Sequence, residues 1–211
     1  MIPVAILCGG FGTRLGAETK ETPKSMVDVH GKPFIHYQLS LLAEAGLRDV
    51  ILLVGHRHAQ IIDYVGQGAR WGIGVQYSIC ELPIGTGDAV WRARDLLFDE
   101  SPDILLLYGD SYLSCEYHRL IAAHHRSEKW LTTAMCWHPA RHDFVLIDYG
   151  VSVVNESFIR KPKQHWVDYV REGMACNDVG VWVWPTPYQE IGSPEGLANF
   201  RAMMGSADAP R

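Results

Sequence analysis

Apolar runs and amphipathic stripes take turns along the first two-thirds of the chain. Ile2 to Leu7 is an apolar run that stops at Gly9-Gly10, the pattern of a strand buried on both faces. After Lys32-Pro33, residues Phe34, Tyr37, Leu41 and Ala45 fall on one helical stripe. Ile35, Leu39 and Leu42 widen it, and Gly46 is its natural C-terminal stop. "DVILLVG" reads as the next buried strand, "AQIIDYVG" as a short helix and "GVQYSI" as a strand. "TGDAVWRARDLLF" reads as one helix with Ala89, Ala93, Leu96 and Leu97 on one side, and "DILLLYGD" as a third long apolar strand. "HRLIAAHHR" is helical, with His124-His125 expected on its surface, and "WLTTAMC" is a strand. In the less regular last third, "LIDYGVSVV" and "DVGVWVW" read as strands. Pro194 to Met204 reads as a closing helix with Ser193 as N-cap.

Strands separated by helical crossovers imply an α/β fold with a mostly parallel sheet and helices on both faces. Ligands of such sheets gather at the carboxyl ends of the strands. Three glycine-bearing stretches fall at such ends: Gly9 to Arg14, Glu81 to Gly87, and Gly109-Asp110. No internal repeat is visible. The pattern predicts one domain over residues 1–204, with a frayed tail at 205–211.

Composition narrows the function more than the fold. The chain has 211 residues, 47% hydrophobic and 20% charged, enough for one sizeable core. A net charge of -5 supplies no broad basic face, which argues against nucleic acid as a partner. The five cysteines form no C-x-x-C pair and no leader precedes the first strand, which predicts a reduced, cytoplasmic protein. No apolar run reaches the ~18 residues of a membrane span.

The stretch "LCGGFGTRLGAETKETPK", Leu7 to Lys24, asks for a phosphate. Glycines let backbone N–H groups close on phosphate oxygens, Arg14 offers a fork of donors, and Lys24 offers a point charge behind Pro23. On the glycines alone, a plain strand-to-helix turn explains the stretch equally well. A dinucleotide fingerprint fits Gly10, Gly12 and Gly16 loosely, but the second strand ends in Val54-Gly55-His56-Arg57 without the ribose-binding carboxylate. No Gly-Lys-Ser/Thr follows, so the stretch is not a P-loop. His138, His142 and Asp143 would suit zinc only on a helix, and Pro139 opposes one. Cys8 follows a buried strand and reads as a core thiol.

Taken in order, "GGFGTRL...TPKSM", "ELPIGTGDA", "LYGDSYL" and "YQEIGSPEG" resemble the motifs of sugar-phosphate nucleotidyltransferases. "GKPFI", "AGLRDVILLVG" and "YSI" make the heptose-1-phosphate guanylyltransferase-like branch the nearest match, firm over residues 1–126 and again over 188–204. The resemblance implies a Rossmann-like, three-layer nucleotidyltransferase (GT-A-like) fold. It implies that a sugar 1-phosphate attacks the α-phosphorus of a nucleoside triphosphate and displaces pyrophosphate, with Mg²⁺ as cofactor. By the same resemblance Leu7, Gly9, Gly10, Gly12 and Thr13 line the nucleotide, as do Glu81, Gly85, Thr86 and Gly87. Arg14 and Lys24 are the catalytic cations, and Asp110 and Glu190 hold the metal, with Glu190 standing where the family has an aspartate. Glu81 suits a guanine edge, though cytosine also offers an amino donor. Asp88 departs from the family's small residue and would compete with a bound anion.

The resemblance breaks on the acceptor side, shortened around residues 137–175. One alignment puts Ile147 to Val154 on a late family strand, brings Asp148, Tyr149 and Gly150 to the sugar phosphate, and leaves its usual lysine missing. The other puts "RKPKQ" on that motif, with Lys161 as the lysine. Two functions therefore remain open: an active guanylyl transfer to a heptose 1-phosphate, feeding glycan or glycoside synthesis, or a degenerate nucleotide-binding module or partner subunit. A homo-oligomer in which a neighbouring chain completes the pocket stays open too.

Overall fold

Each long apolar run becomes a strand of one sheet. The structure is a computed structural model and describes residues 2–81, 85–137, 146–185 and 189–206. In chain order the strands are β1 (Val4–Leu7), β2 (Asp28–Val29), β3 (Lys32–Pro33), β4 (Asp49–Val54), β5 (Gly74–Ile79) and β6 (Asp103–Tyr108). They continue with β7 (Ser111–Tyr112), β8 (Leu131–Trp137), β9 (Leu146–Asn155), β10 (Val179–Val183) and β11 (Gln189–Glu190). The α-helices are α1 (Phe34–Glu44), α2 (His58–Val65), α3 (Thr86–Arg92), α4 (Arg94–Leu97), α5 (Tyr117–Ser127), α6 (Trp166–Ala175) and α7 (Pro194–Gly205).

The central sheet has seven strands in the order β10-β8-β9-β6-β1-β4-β5. All neighbours are parallel except β9, which runs antiparallel to both β6 and β8. Residues 138–145 are too few for a helical crossover, so a strand reached through them returns antiparallel.

Period-two alternation explains why the strands look apolar throughout. Val4, Ile6, Val50, Leu52, Leu105 and Leu107 leave one face and pack under α1, α2 and α5. Ala5, Ile51, Leu53, Ile104 and Leu106 leave the other and pack under α3, α4 and α6. Burying each such leucine or isoleucine fully is worth about 1.5–3 kcal/mol. A third, smaller core lies off the sheet, where Leu15, Val27 and Phe34 meet Ile191, Leu197 and Phe200.

Two sequence expectations change. The helix read over "TGDAVWRARDLLF" breaks at Ala93 into α3 and α4. His124 is not on the surface: it is 4% exposed, on the stripe it shares with Tyr117 and Leu120. Its Nδ1 lies 2.9 Å from Thr132 Oγ1, and its Nε2 3.6 Å from Asp103 Oδ1. Among the described residues no helix is long and apolar enough to cross a membrane.

Candidate active site

The carboxyl ends of β1, β4, β5 and β6 open on one edge, and a cleft of about 970 Å³ lies along it. β1 leaves the sheet after Cys8, whose N–H still donates to the Leu53 carbonyl at 2.9 Å. Gly12 then adopts φ 64°, where a Cβ would also lie 2.9 Å from the Thr19 methyl group. This is a turn only glycine makes without strain. Thr19 Oγ1 closes the loop by donating to the Gly12 carbonyl at 2.8 Å. Arg14 and Leu15 sit together in the short helical segment Thr13–Thr19. Leu15 is buried in the third core while Arg14 lines the cleft. Pro23, extended at ψ 149°, sets up the turn that begins at Lys24.

Three charged residues that line this cleft, Arg14, Lys24 and Asp110, meet at one end of it, and Glu190 adjoins them without lining it. Lys24 Nζ lies 2.5 Å from Asp110 Oδ2, a charge-assisted pair that is only partly exposed. Asp110 follows β6, and its carbonyl accepts from the Ile191 N–H at 2.9 Å. β11 pairs antiparallel with β7 and sets Glu190 opposite Ser111, one residue from Asp110. A Cβ built on Gly192 would lie 3.0 Å from both Arg14 Nη2 and Lys24 Nζ, so both cations reach the Glu190–Gly192 turn. The Glu190 carboxylate accepts from the Gly192 N–H at 2.5 Å and the Ser193 hydroxyl at 2.9 Å. Ser193 in turn accepts from the Gly196 N–H at 3.0 Å, as its N-cap role requires.

Two neighbouring carboxylates fit a hard ion that takes one or two protein oxygens and fills its remaining positions with phosphate and water. Among the described residues no three His, Cys, Asp or Glu side chains gather as a closed metal cage. His138, His142 and Asp143 lie outside the described residues. Cys8 also lines the cleft, but burial, with the charge of Asp110 adding to it, pushes its thiol up to about 12. It therefore stays protonated and is not a nucleophile.

Of the residues singled out from the sequence, Leu7, Gly9, Gly10, Gly12, Thr13, Arg14, Lys24, Gly85, Thr86 and Asp110 line the cleft. Glu81 stands exposed beyond it, 3.9 Å from His58 Nε2. Gly87 faces protein. Its N–H donates to the Gln164 carbonyl at 3.1 Å, and a Cβ there would lie 2.8 Å from the His165 carbonyl oxygen. Thr86 Oγ1 accepts from the Trp166 N–H at 2.9 Å. The second glycine motif is therefore also the seat of the segment entering α6. Asp88 is neutralised by Arg92, whose Nε donates to it at 2.9 Å.

On the acceptor side the structure gathers less. Gly150, at φ 84°, packs beside Tyr108 and Ser111, which brings the middle of β9 next to the Asp110 corner. The side chains of Asp148 and Tyr149 lie outside the described residues. Lys161 does not line the cleft. It is exposed, with Nζ 3.5 Å from Glu172 on α6. Sequence reasoning missed His165, Trp166 and Val167, which line the cleft because α6 leans on α3. It also missed Phe11 and Ile79, apolar side chains left exposed at the cleft. A signal for Phe11 was present: an aromatic residue between glycines in a loop has no core to fill.

Residues 4–191 match the Nucleotidyl transferase family. The chain is 34% identical over 130 residues to a D-glycero-alpha-D-manno-heptose 1-phosphate guanylyltransferase of Aneurinibacillus thermoaerophilus, covering 62% of this chain and 55% of that protein. It is 28% identical over 174 residues to mannose-1-phosphate guanyltransferase 2 of Candida glabrata, covering 80% of this chain and 48% of the relative. The chain thus spans about half the length of the curated relatives it matches. A solved structure of a putative glucose-1-phosphate thymidylyltransferase from Bacillus anthracis superposes with TM-score 0.86. It covers 100% of this chain and 98% of its own at 15% identity, a likeness of fold alone.

Proposed function

The chain belongs to the nucleotidyl transferase family, and we propose that it transfers GMP from GTP to a sugar 1-phosphate, a heptose 1-phosphate by preference, releasing pyrophosphate. The observation that carries this reading is the meeting of Arg14, Lys24 and Asp110 at one end of the glycine-lined cleft, with Glu190 in the turn beside them. The choice of guanylyl and heptose is supported by the names of two relatives, a mannose-1-phosphate guanyltransferase and a heptose 1-phosphate guanylyltransferase. Glu81, exposed beyond the cleft beside His58, is the group proposed to accept from guanine N1–H and its amino group.

On this reading the acceptor's phosphate oxygen forms the new bond to the α-phosphorus while the bond to the bridging oxygen breaks. Pyrophosphate carries away the charge. The nucleophile needs no general base, since a phosphate monoester has a second pKa of about 6. What the protein must supply is alignment and positive charge. Gly9, Gly10 and Gly12 offer backbone donors, and Arg14 forks onto the departing pyrophosphate. Lys24 turns from Asp110 to the α-phosphate oxygens. Asp110 and Glu190 would hold Mg²⁺, which when bound neutralises phosphate charge.

A second reading is favoured by one observation. The Lys161 ammonium pairs with Glu172 and stays out of the cleft, as in a module that binds nucleotide without an acceptor lysine. One experiment separates the two. Pyrophosphate release is measured with Mg²⁺ across GTP, CTP, UTP, dTTP and ATP against heptose, mannose, glucose and N-acetylhexosamine 1-phosphates. Turnover with GTP and heptose 1-phosphate supports transfer. Nucleotide binding with no release in any combination supports the module.

A further inference from the structure

The Arg14 side chain makes no hydrogen bond or ion pair among the described residues, so its place depends on its backbone and on its packing beside Gly192. That backbone is jointed: Gly12 sits at φ 64°, and Gly16, inside the same segment, at φ 55° and ψ -113°. Buried Leu15 anchors the segment on one side of Gly16, and the residues beyond Gly16 are held from outside the loop. Arg201 of α7 grips Glu18 with both ends of its fork, Nη1 to Oε1 at 2.9 Å and Nη2 to Oε2 at 3.1 Å. The same guanidinium donates twice to the Asp28 carbonyl, from Nε at 3.0 Å and Nη2 at 2.8 Å. His30 Nε2 lies 2.6 Å from the Arg201 carbonyl and ties the helix to the same β-turn.

α7 is also fixed at its other end. Glu190 binds the Gly192 N–H and the Ser193 hydroxyl just before the first turn, and Phe200 packs in the small core with Leu15. One helix therefore joins the carboxylate side of the site to the back of the arginine loop. We propose that Arg201 is a positioning residue that, through Glu18 and α7, fixes Arg14 at a set place relative to Asp110 and Glu190. The inference rests on the transferase reading for its kinetic consequence, but the clamp exists whether or not the chain turns over.

The Arg201–Glu18 pair is partly solvent-exposed, and such a pair contributes little to global stability. A positioning role and a structural role therefore predict different results. Arg201→Ala should lower kcat roughly ten- to hundredfold, the range expected for a misplaced catalytic group, while KM for the acceptor and Tm barely move. Glu18→Ala should do the same, and the two losses should not multiply. Arg14→Ala combined with Arg201→Ala should be no slower than Arg14→Ala alone, because the clamp acts through Arg14. Wild-type kcat in Arg201→Ala, or losses that multiply with Arg14→Ala, would overturn the proposal.

If the wild-type chain itself releases no pyrophosphate, the transferase reading fails. The clamp is then read by rapid amide hydrogen exchange. The Leu15 and Lys20 amides, which bond to the Gly12 and Ala17 carbonyls, should exchange faster in Arg201→Ala while the amides of β1 and β4 are unchanged. Unchanged exchange at Leu15 and Lys20 would reject the clamp.

Discussion

The two flanks of β6 spend their polar groups differently. Toward β1, β4 and β5 every neighbour is parallel and the loops at the strand ends are braced from behind. Arg57 holds the Lys20 and Glu21 carbonyls at 3.2 and 3.1 Å, and Arg201 holds Glu18. The side chains of that loop can therefore face the cleft. Toward β9, β8 and β10 the cations described between β9 and α6 are engaged in internal pairs. Arg160 meets Asp178 at 3.0 Å, while Lys161 and Lys163 share Glu172. A cation already matched on its own flank costs free energy to recruit. On the braced flank Lys24 carries that cost too, through Asp110, but Arg14 faces the cleft with no ion-pair partner among the described residues and is ready to meet a polyanion.

The sharpest test removes the braced flank's chemistry. Arg14→Ala and Asp110→Asn should each lower turnover on the order of 10²- to 10³-fold, the usual loss when one charge-stabilising group is removed. The thermal midpoint should hold in Arg14→Ala. Asp110→Asn strands the partly buried Lys24 and should melt somewhat earlier. Full activity in either variant would mean that the chemistry lies elsewhere.

The joint between the flanks comes next. Gly87→Ala drives a methyl group against the His165 carbonyl, so the segment entering α6 must move off α3. Overpacking of this kind costs about 1–3 kcal/mol. Denaturant titration should show that loss together with weaker nucleotide binding. A loss of stability with unchanged nucleotide affinity would show that α6 shapes only its own flank.

The parallel half was legible in the sequence because its signals are local: apolar runs, glycine stops, crossovers of helical length. The order of its motifs alone puts Gly9, Gly85 and Asp110 near strand ends. What stayed hidden depends on pairings too short or too distant to leave a pattern. β7 and β11 are two residues each, yet with the Ile191–Asp110 backbone bond they set Glu190 beside Asp110. Nothing in "RKPKQHW" says that the Gln164 carbonyl will cap Gly87. The antiparallel course of β9 was readable from its short connection. So was the burial of His124, seven residues after Tyr117 and four after Leu120, where only its polarity suggested the surface.

His124 gives a smaller effect, at the amino end of the same sheet. Burial lowers its pKa and outweighs the opposing pull of Asp103, which also faces His125 at 3.3 Å and Asn155 at 2.7 Å. The unfolded chain, with its histidine near 6.5, takes up the proton first as pH falls. This contribution to stability is therefore whole above pH 6.5 and is lost as pH drops through the lower folded value. His124→Gln should flatten that part of the stability–pH curve. A slope that survives would assign it to other groups, His36 among them, whose pKa is lowered by burial with Lys32 and Arg70 adding.

The smallest expected effect carries the most weight for the acceptor flank. Lys161→Ala removes one exposed ammonium that shares Glu172 with Lys163, and exposed pairs are worth about 0–1 kcal/mol. Turnover should change less than about threefold and the melting point hardly at all, since Lys163 keeps Glu172 neutralised. A large fall in kcat/KM for the sugar phosphate, with nucleotide affinity intact, would contradict this. It would mean that Lys161 leaves Glu172 and swings into the cleft when the acceptor arrives, so that internal pairing on this flank is a resting arrangement and not a fixed one. The two outcomes also differ for Glu172→Gln. If the pairing is fixed, loosening it does nothing to turnover. If it is a resting arrangement, freeing Lys161 from its partner should raise kcat/KM for the acceptor.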